Sequence, residues 1–206
     1  MSHNTAFLMA PDHPLQKYHK SRLVVGVEST PYPRIFVPMD NWLSRLFHVS
    51  GLMGRCKGQE GVGVLRFDED RVIGCAICYE SVYGEYCTEY VKAGAGALTV
   101  ITNDAWWGDT PGYRQHLNYS RLRAIETRRD IARCGNTGIS CFIDQRGEIK
   151  ASTRWWTQES LTGSIAFNLE QTFFVRCGDI VGRVSTLMFF LLAALLLMRL
   201  VMRKKV

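Results

Sequence analysis

The segment Gly74-Cys75-Ala76-Ile77-Cys78-Tyr79-Glu80 carries the residue types best suited to covalent chemistry. Cys75 and Cys78 form a C-x-x-C pair, a spacing shared by redox centres and zinc sites. The surroundings argue against both. On a strand, residues three apart point to opposite faces and stand roughly 10 Å apart, too far for a disulfide. No second C-x-x-C or histidine pair completes a zinc site. Cys78 suits a different use. It closes an apolar run and is followed by Tyr79-Glu80 and a helical stretch. A thiol at a sharp strand-to-helix turn lies near helix N-terminal amides that favour the thiolate and can stabilise an oxyanion. The alternative is a small buried cysteine.

Several elements must present that turn. Residues 3–9 read as a strand, and Tyr18 to Val27 as a basic start followed by an apolar run. A proline-rich loop (Pro31, Pro33, Pro38) leads to a short helix over 41–47. Residues 61–67 and 71–78 form a strand pair turned at Asp68-Glu69-Asp70. A helix over 81–92, closed by Gly94, leads to a buried strand over 97–102 that ends at Asn103-Asp104. The longest helix spans 114–134, with Leu117, Ala124, Ile125 and Ile131 as its apolar face and its arginines solvated or paired to Glu126 and Asp130. A hairpin over 138–152 turns at Gln145-Arg146-Gly147, and residues 162–168 form a last strand. Strands mixed with helices imply a layered α/β domain.

The chain has 206 residues, of which 47% are hydrophobic and 21% charged. That excludes a disordered protein and suffices for one buried domain. Six prolines and 18 glycines exclude a collagen-like chain. Seven cysteines without regular spacing do not make a disulfide scaffold, and Cys56, Cys87, Cys134, Cys141 and Cys177 read as small apolar residues. Residues 184–202 are apolar apart from Arg199, long enough for a spanning helix of roughly 20 residues if that arginine snorkels to the headgroups. Arg199, Arg203, Lys204 and Lys205 follow it. By the positive-inside rule the tail is cytoplasmic and the preceding domain lies across the membrane, in the periplasm of a bacterium. This tail supplies much of the net charge of +6, so the charge does not argue for a nucleic-acid partner. The expected organisation is a domain over 1–170, a linker over 171–183, a transmembrane helix over 184–202 and a basic tail over 203–206.

Tyr18-His19-Lys20-Ser21-Arg22-Leu23-Val24, Glu28, Ile77-Cys78-Tyr79-Glu80, Asn103-Asp104-Ala105-Trp106-Trp107-Gly108, Gln115-His116, Arg121-Leu122-Arg123-Ala124-Ile125-Glu126 and Asn136-Thr137-Gly138-Ile139-Ser140 occur in this order. Together they resemble the nitrilase superfamily, and within it the bacterial apolipoprotein N-acyltransferases, from about Asn4 to the C-terminus. The resemblance implies an αββα sandwich followed by one membrane helix and a Glu-Lys-Cys catalytic set. Cys78 matches the nucleophile and Lys20 the catalytic lysine, whose ammonium would favour the thiolate and an oxyanion. The N–H of Tyr79 is the natural second donor, and Glu80 and Glu28 match further acidic positions, the alternative being ordinary surface carboxylates. Asn103, Trp106, Trp107 and His116 are candidates for binding substrate, the tryptophans equally for packed core.

The activity so implied transfers a fatty acyl chain from a membrane phospholipid of the phosphatidylethanolamine type, through a cysteine thioester, to the N-terminal amine of an apolipoprotein, and it needs no metal or organic cofactor. Two departures stand out. The family has several membrane helices before this domain, and its catalytic glutamate falls before Asn4. The expectation is therefore a C-terminal portion with little turnover by itself. The rivals are a membrane-tethered carbon–nitrogen hydrolase and an inactive partner-binding domain.

Overall fold

The computed structural model describes residues 2–11, 13–47 and 56–203. β1 (Thr5–Leu8) and β2 (Gln16–His19) form an antiparallel pair, and α1 spans Pro33–Phe47. Next come β3 (Val64–Arg66) and β4 (Val72–Ile77), joined antiparallel as the sequence suggests. A 3-10 turn over Cys78–Val82 leads into α2 (Gly84–Lys92), then β5 (Ala97–Asn103). A second 3-10 turn over Asp104–Trp107 precedes α3 (Gly112–Thr127) and β6 (Ile131–Asn136). The hairpin β7 (Cys141–Ile143) and β8 (Ile149–Ser152) closes the sheet, followed by α4 (Phe173–Cys177) and α5 (Ile180–Arg203).

The six-stranded sheet runs in order β3-β4-β5-β6-β7-β8. Its centre, β4-β5-β6, is parallel and its edges antiparallel. Parallel neighbours need crossovers, and α2 and α3 supply them, burying Tyr86, Tyr90, Val91, Leu117 and Ala124. Every residue of β4 is buried, as a central parallel strand covered on both faces requires. Gly74 is fixed by that packing: a Cβ there would stand 2.7 Å from Tyr90 Cβ. The register pairs Ile77 with Ile101 and Asn103 with Asn136, so Cys78 and Asp104 leave the sheet at the carboxyl ends of adjacent strands, where open α/β sheets collect their sites.

Four local expectations are corrected. The segment read as a proline-rich loop is helical from Pro33, because proline suits a first helical position, and Pro38 lies inside α1 at the expense of one backbone bond. The long helix stops at Thr127, where Arg128 turns left-handed at φ 51°. Ile131 to Cys134 belong instead to β6, where pairing with β5 satisfies their backbone, and Ile125 is exposed rather than core. Residues 162–168 form no strand. Their donors bond elsewhere, Ala166 N–H to Asp130 Oδ2 and Asn168 N–H to the Gly96 carbonyl.

α5 contains a 21-residue span, Ile180–Leu200, of mean hydropathy 2.2, none of it buried. It is long enough for a hydrocarbon core of about 30 Å and fits a single transmembrane helix. Its root is tied to the domain: Glu85 Oε1 on α2 accepts from Arg183 at 2.7 Å and from Asp179 N–H at 2.9 Å. Lys204, Lys205 and Val206 of the expected basic tail lie outside the described residues.

Candidate active site around Cys78

The first 3-10 turn begins at Cys78 with φ 55°, the left-handed region that residues with a Cβ rarely adopt. Two side chains hold this conformation at the Cys78 carbonyl. Ser81 Oγ–H donates to it at 2.9 Å, and His116 Nε2 lies 3.2 Å away. Three buried thiols elsewhere in the sheet and α2 are passive. Burial pushes Cys75 and Cys141 up to about 11 and Cys87 up to about 12, which keeps them protonated at neutral pH.

Glu80 is fully buried and joins this turn to the β2 segment. One carboxylate oxygen accepts from Tyr18 O–H at 2.8 Å, Ser21 N–H at 2.8 Å and Arg22 N–H at 3.0 Å. The other accepts from Ile77 N–H at 2.8 Å. Tyr86 and Tyr90 crowd the same cage, and Tyr18 Oη lies within 2.9 Å of both hydroxyls. Burial and then the Glu80 charge push the Tyr18 phenol far above its ordinary value. Glu80 thus draws Lys20, the neighbour of Ser21, toward the Cys78 turn.

Lys20 is buried, and its Nζ donates to Glu28 Oε2 at 2.7 Å. Val24 N–H and Asn4 also donate to Glu28. Burial alone would raise the Glu28 pKa, but these hydrogen bonds and the Lys20 charge hold it below the ordinary carboxylate range. Glu80 is therefore not a surface carboxylate, and Glu28, half-buried, is held by three donors.

Asp104, at the end of β5, makes the other buried set. Its Oδ1 faces His116 Nδ1 at 2.9 Å and its Oδ2 accepts from Arg133 at 2.7 Å. Burial again acts upward, yet His116 and Arg133 together keep the Asp104 carboxyl below its ordinary value. Arg133 also donates to Ser120 Oγ, and Arg123 bonds Val82 O and Glu126. Arg123 is thus paired to Glu126 as the sequence suggests, whereas Arg133 is neither solvated nor helical.

Through Glu80 the structure ties the Cys78–Glu80 turn to Ser21 and Arg22, next to Lys20 and its partner Glu28, and it sets His116 against the Cys78 carbonyl. Tyr79 is half-buried, its ring 6.3 Å from that of His116. Asn103 caps the second 3-10 turn through Ala105 N–H and takes a bond from Asn136. Trp107 is half-buried, 6.4 Å from the His116 ring, whereas Trp106 is 76% exposed and not core. His116 is 2% exposed with both nitrogens engaged inside the protein. Sequence reasoning missed Ser81, Asp104 and Arg133 as supports. A hydroxyl three residues after Cys78 was the available signal. A cleft of ≈ 1330 Å³ runs from Ser21 and Arg22 past Val82 and Tyr83 to Arg183 and Thr186 of α5.

A mixed α/β sheet with a cysteine in a left-handed turn beyond a central parallel strand, tied by a buried glutamate to a segment holding a buried lysine, is the arrangement of the nitrilase class of fold. Residues 1–173 match the carbon-nitrogen hydrolase family, and the chain belongs to it. It is similar to apolipoprotein N-acyltransferases, at 39% identity over 89% of this chain for that of Chlorobaculum tepidum and 32% over 90% for that of Haemophilus influenzae. The chain spans about a third of the length of these curated relatives, 34% and 35% respectively. Saccharomyces cerevisiae Nit3, a nitrilase-superfamily member, shares the fold at a TM-score of 0.53, with 20% identity over 76% of this chain and 51% of that one. A carbon-nitrogen hydrolase from Helicobacter pylori does so at 0.52, with 14% identity over 73% of this chain and 52% of that one.

Proposed function

We propose that this chain carries the acyl-transfer site of lipoprotein maturation. The Cys78 sulfur attacks the ester carbonyl of a membrane phospholipid. The C–S bond forms, the ester C–O bond breaks, and the lysophospholipid leaves as an alcohol carrying the proton lost by the thiol. The α-amine of the diacylglyceryl cysteine of an apolipoprotein then attacks the thioester. The C–N bond forms, the C–S bond breaks, and the proton released by the amine returns to sulfur. The observation that carries this reading is the strained Cys78 turn, tied through Glu80 to the segment that holds the buried Lys20 and its Glu28 partner. Lys20 and Tyr79 N–H stabilise the oxyanion. Glu28 holds Lys20, and Glu80 holds the turn. Asn103, Trp106 and Trp107 border the substrates, while His116, sealed from solvent, has a different role.

The setting supports lipid substrates. The cleft beside Ser21 reaches the first turns of α5, so a bilayer-bound donor stands close to the site. With basic residues after the apolar span, α5 anchors the domain on the outer face of a bacterial inner membrane, its tail cytoplasmic.

Glu80 and Glu28 are both committed as acceptors, so the thiol proton passes to another group. The family resemblance puts that carboxylate before Asn4. The 206 residues alone are expected to acylate slowly, the buffer taking the proton, without sustained turnover. Steady-state transfer by them would overturn that expectation. The family itself favours a second reading, hydrolysis of a carbon–nitrogen bond with water as acceptor. Intact mass after incubation with phosphatidylethanolamine separates the two. Acyl transfer gives one hydroxylamine-sensitive adduct that Cys78→Ala lacks. No adduct over hours, or an adduct kept by Cys78→Ala, overturns the proposal. Ammonia and free acid released from amides in its place support the hydrolase.

A further inference from the structure

We propose that His116 and Ser81 are positioning residues that polarise the Cys78–Tyr79 peptide group and so prepare the Tyr79 N–H for an oxyanion. The inference rests on the reading of Cys78 as a nucleophile. One peptide unit joins the two ends of the argument. Its carbonyl, that of Cys78, is approached by Ser81 Oγ at 2.9 Å and His116 Nε2 at 3.2 Å. Its N–H belongs to Tyr79, in the first turn of a helical segment, where N–H groups find no acceptor within the helix. Hydrogen bonds in a chain reinforce one another, by about 10–30% per bond. Donors on the carbonyl therefore strengthen the N–H at the opposite end and fix its direction.

In this arrangement Ser81 gives its one hydroxyl hydrogen to the Cys78 carbonyl, and His116 Nε2, facing that carbonyl and the Ser81 oxygen, is the second donor. Nδ1 lies 2.9 Å from the Asp104 carboxylate and 3.3 Å from Arg133 Nη2, and the other Asp104 oxygen binds Arg133. The cluster is sealed: the Arg133, Asp104 and His116 side chains are 0%, 1% and 2% exposed. It therefore acts on a substrate only through the Cys78 peptide.

Cys78-Tyr79 is the only Cys-Tyr dipeptide in the sequence. Labelling the full chain with carbonyl-13C cysteine and 15N tyrosine gives one correlation from this peptide group, readable without turnover. His116→Ala and Ser81→Ala are each expected to move the Cys78 carbonyl and the Tyr79 amide proton upfield. A correlation unmoved in both variants overturns the inference whatever the activity. The kinetic arm uses single-turnover acylation by phosphatidylethanolamine and alkylation of Cys78 by iodoacetamide, which forms no tetrahedral oxyanion. Ser81→Ala is expected to slow acylation about tenfold, less than the 10²–10³ for loss of an entire oxyanion donor, with the lipid concentration for half-saturation and the alkylation rate unchanged. His116→Gln, whose amide can donate to the carbonyl, restores part of what His116→Ala loses. Equal slowing of acylation and alkylation means that the turn has merely moved, and overturns the inference while leaving Cys78 as nucleophile. An adduct that survives Cys78→Ala defeats the underlying reading instead, and the labelled peptide still reports whether its carbonyl is polarised.

Discussion

Two buried carboxylates reach Cys78 by different routes and are satisfied by different means. Glu80, two residues on, is held by dipoles: three backbone N–H groups and the Tyr18 hydroxyl lie within 3.0 Å of its oxygens. Asp104, acting through His116, is held by the full charge of the Arg133 guanidinium on one oxygen, with the His116 ring on the other. The difference matters because an unpaired buried ion is costly, and neutralisation by dipoles demands many donors fixed at once. Glu80 obtains them from segments more than fifty residues apart in sequence, Tyr18 to Arg22 and Ile77, and so welds β2 to the nucleophile turn. Asp104 is closed by three side chains, Arg133, His116 and the Thr102 hydroxyl, and orients one ring. The first carboxylate is a structural keystone and the second an electrostatic backing, which makes their removal distinguishable.

The largest effect is expected at the keystone. Glu80→Ala strands four short-range donors, each worth about 1–3 kcal/mol when left unsatisfied. Several kcal/mol of stability should go with it, together with any acyl adduct, because Lys20 is no longer drawn to the turn. Unfolding in denaturant, with mass analysis of Cys78, checks both. Loss of the adduct at wild-type stability would break the distinction between keystone and backing. Next in size is Asp104→Asn, which leaves Arg133 and His116 without an anion. Breaking a buried pair in this way costs about 3–5 kcal/mol. Here alkylation of Cys78 in the folded fraction should change as well, since the His116 ring against the Cys78 carbonyl loses the carboxylate that orients it. A changed rate for Glu80→Ala alone would reverse the assignment.

A smaller, graded effect is expected with acid. The Glu28 and Asp104 carboxyls are both held below their ordinary values of 4.5 and 3.8. The folded state therefore prefers them ionised. The stability they confer is complete above those ordinary values and is lost as pH falls through the lowered ones. The unfolding midpoint should decline as pH falls below about 4.5, and the decline should be shallower in Asp104→Asn. Rising stability on acidification would contradict both ion pairs.

The frame of this site was legible in the sequence, while its wiring was not. The six residues of β4 are an unbroken apolar run ended by Cys78, which is why strand, turn and α2 were readable, and α5 announces itself by an uninterrupted apolar stretch. The end of α3 was hidden because Arg128 adopts a left-handed conformation without a glycine to mark it, and Ile131 continues the helical spacing. Residues 162–168 look like a strand because they alternate, yet Asp130 and Gly96 claim their backbone. Glu80 and Asp104 were the least legible. A carboxylate in a sequence reads as surface, and only tertiary contacts with Tyr18, Ser21, Arg133 and His116 make these two buried. His116 was noticed but aimed at substrate, since its partners lie on three different elements.

The smallest effect concerns the strain both carboxylates help to hold. Cys78 adopts φ 55° with a Cβ, a conformation costing about 1–2 kcal/mol in an L-residue and nearly nothing in glycine. Cys78→Ala keeps the Cβ and loses only the sulfur. Cys78→Gly relieves the strain but gains chain freedom when unfolded, which offsets roughly 0.5–1 kcal/mol. The glycine variant should therefore be the more stable of the two by a few tenths to about 1 kcal/mol, although both are inert. The margin should shrink in a Ser81→Ala background, where the carbonyl has one donor fewer and the turn can relax. Equal stability of the two variants would mean that Cys78 is not strained, and that Ser81 and His116 hold a turn that would form without them.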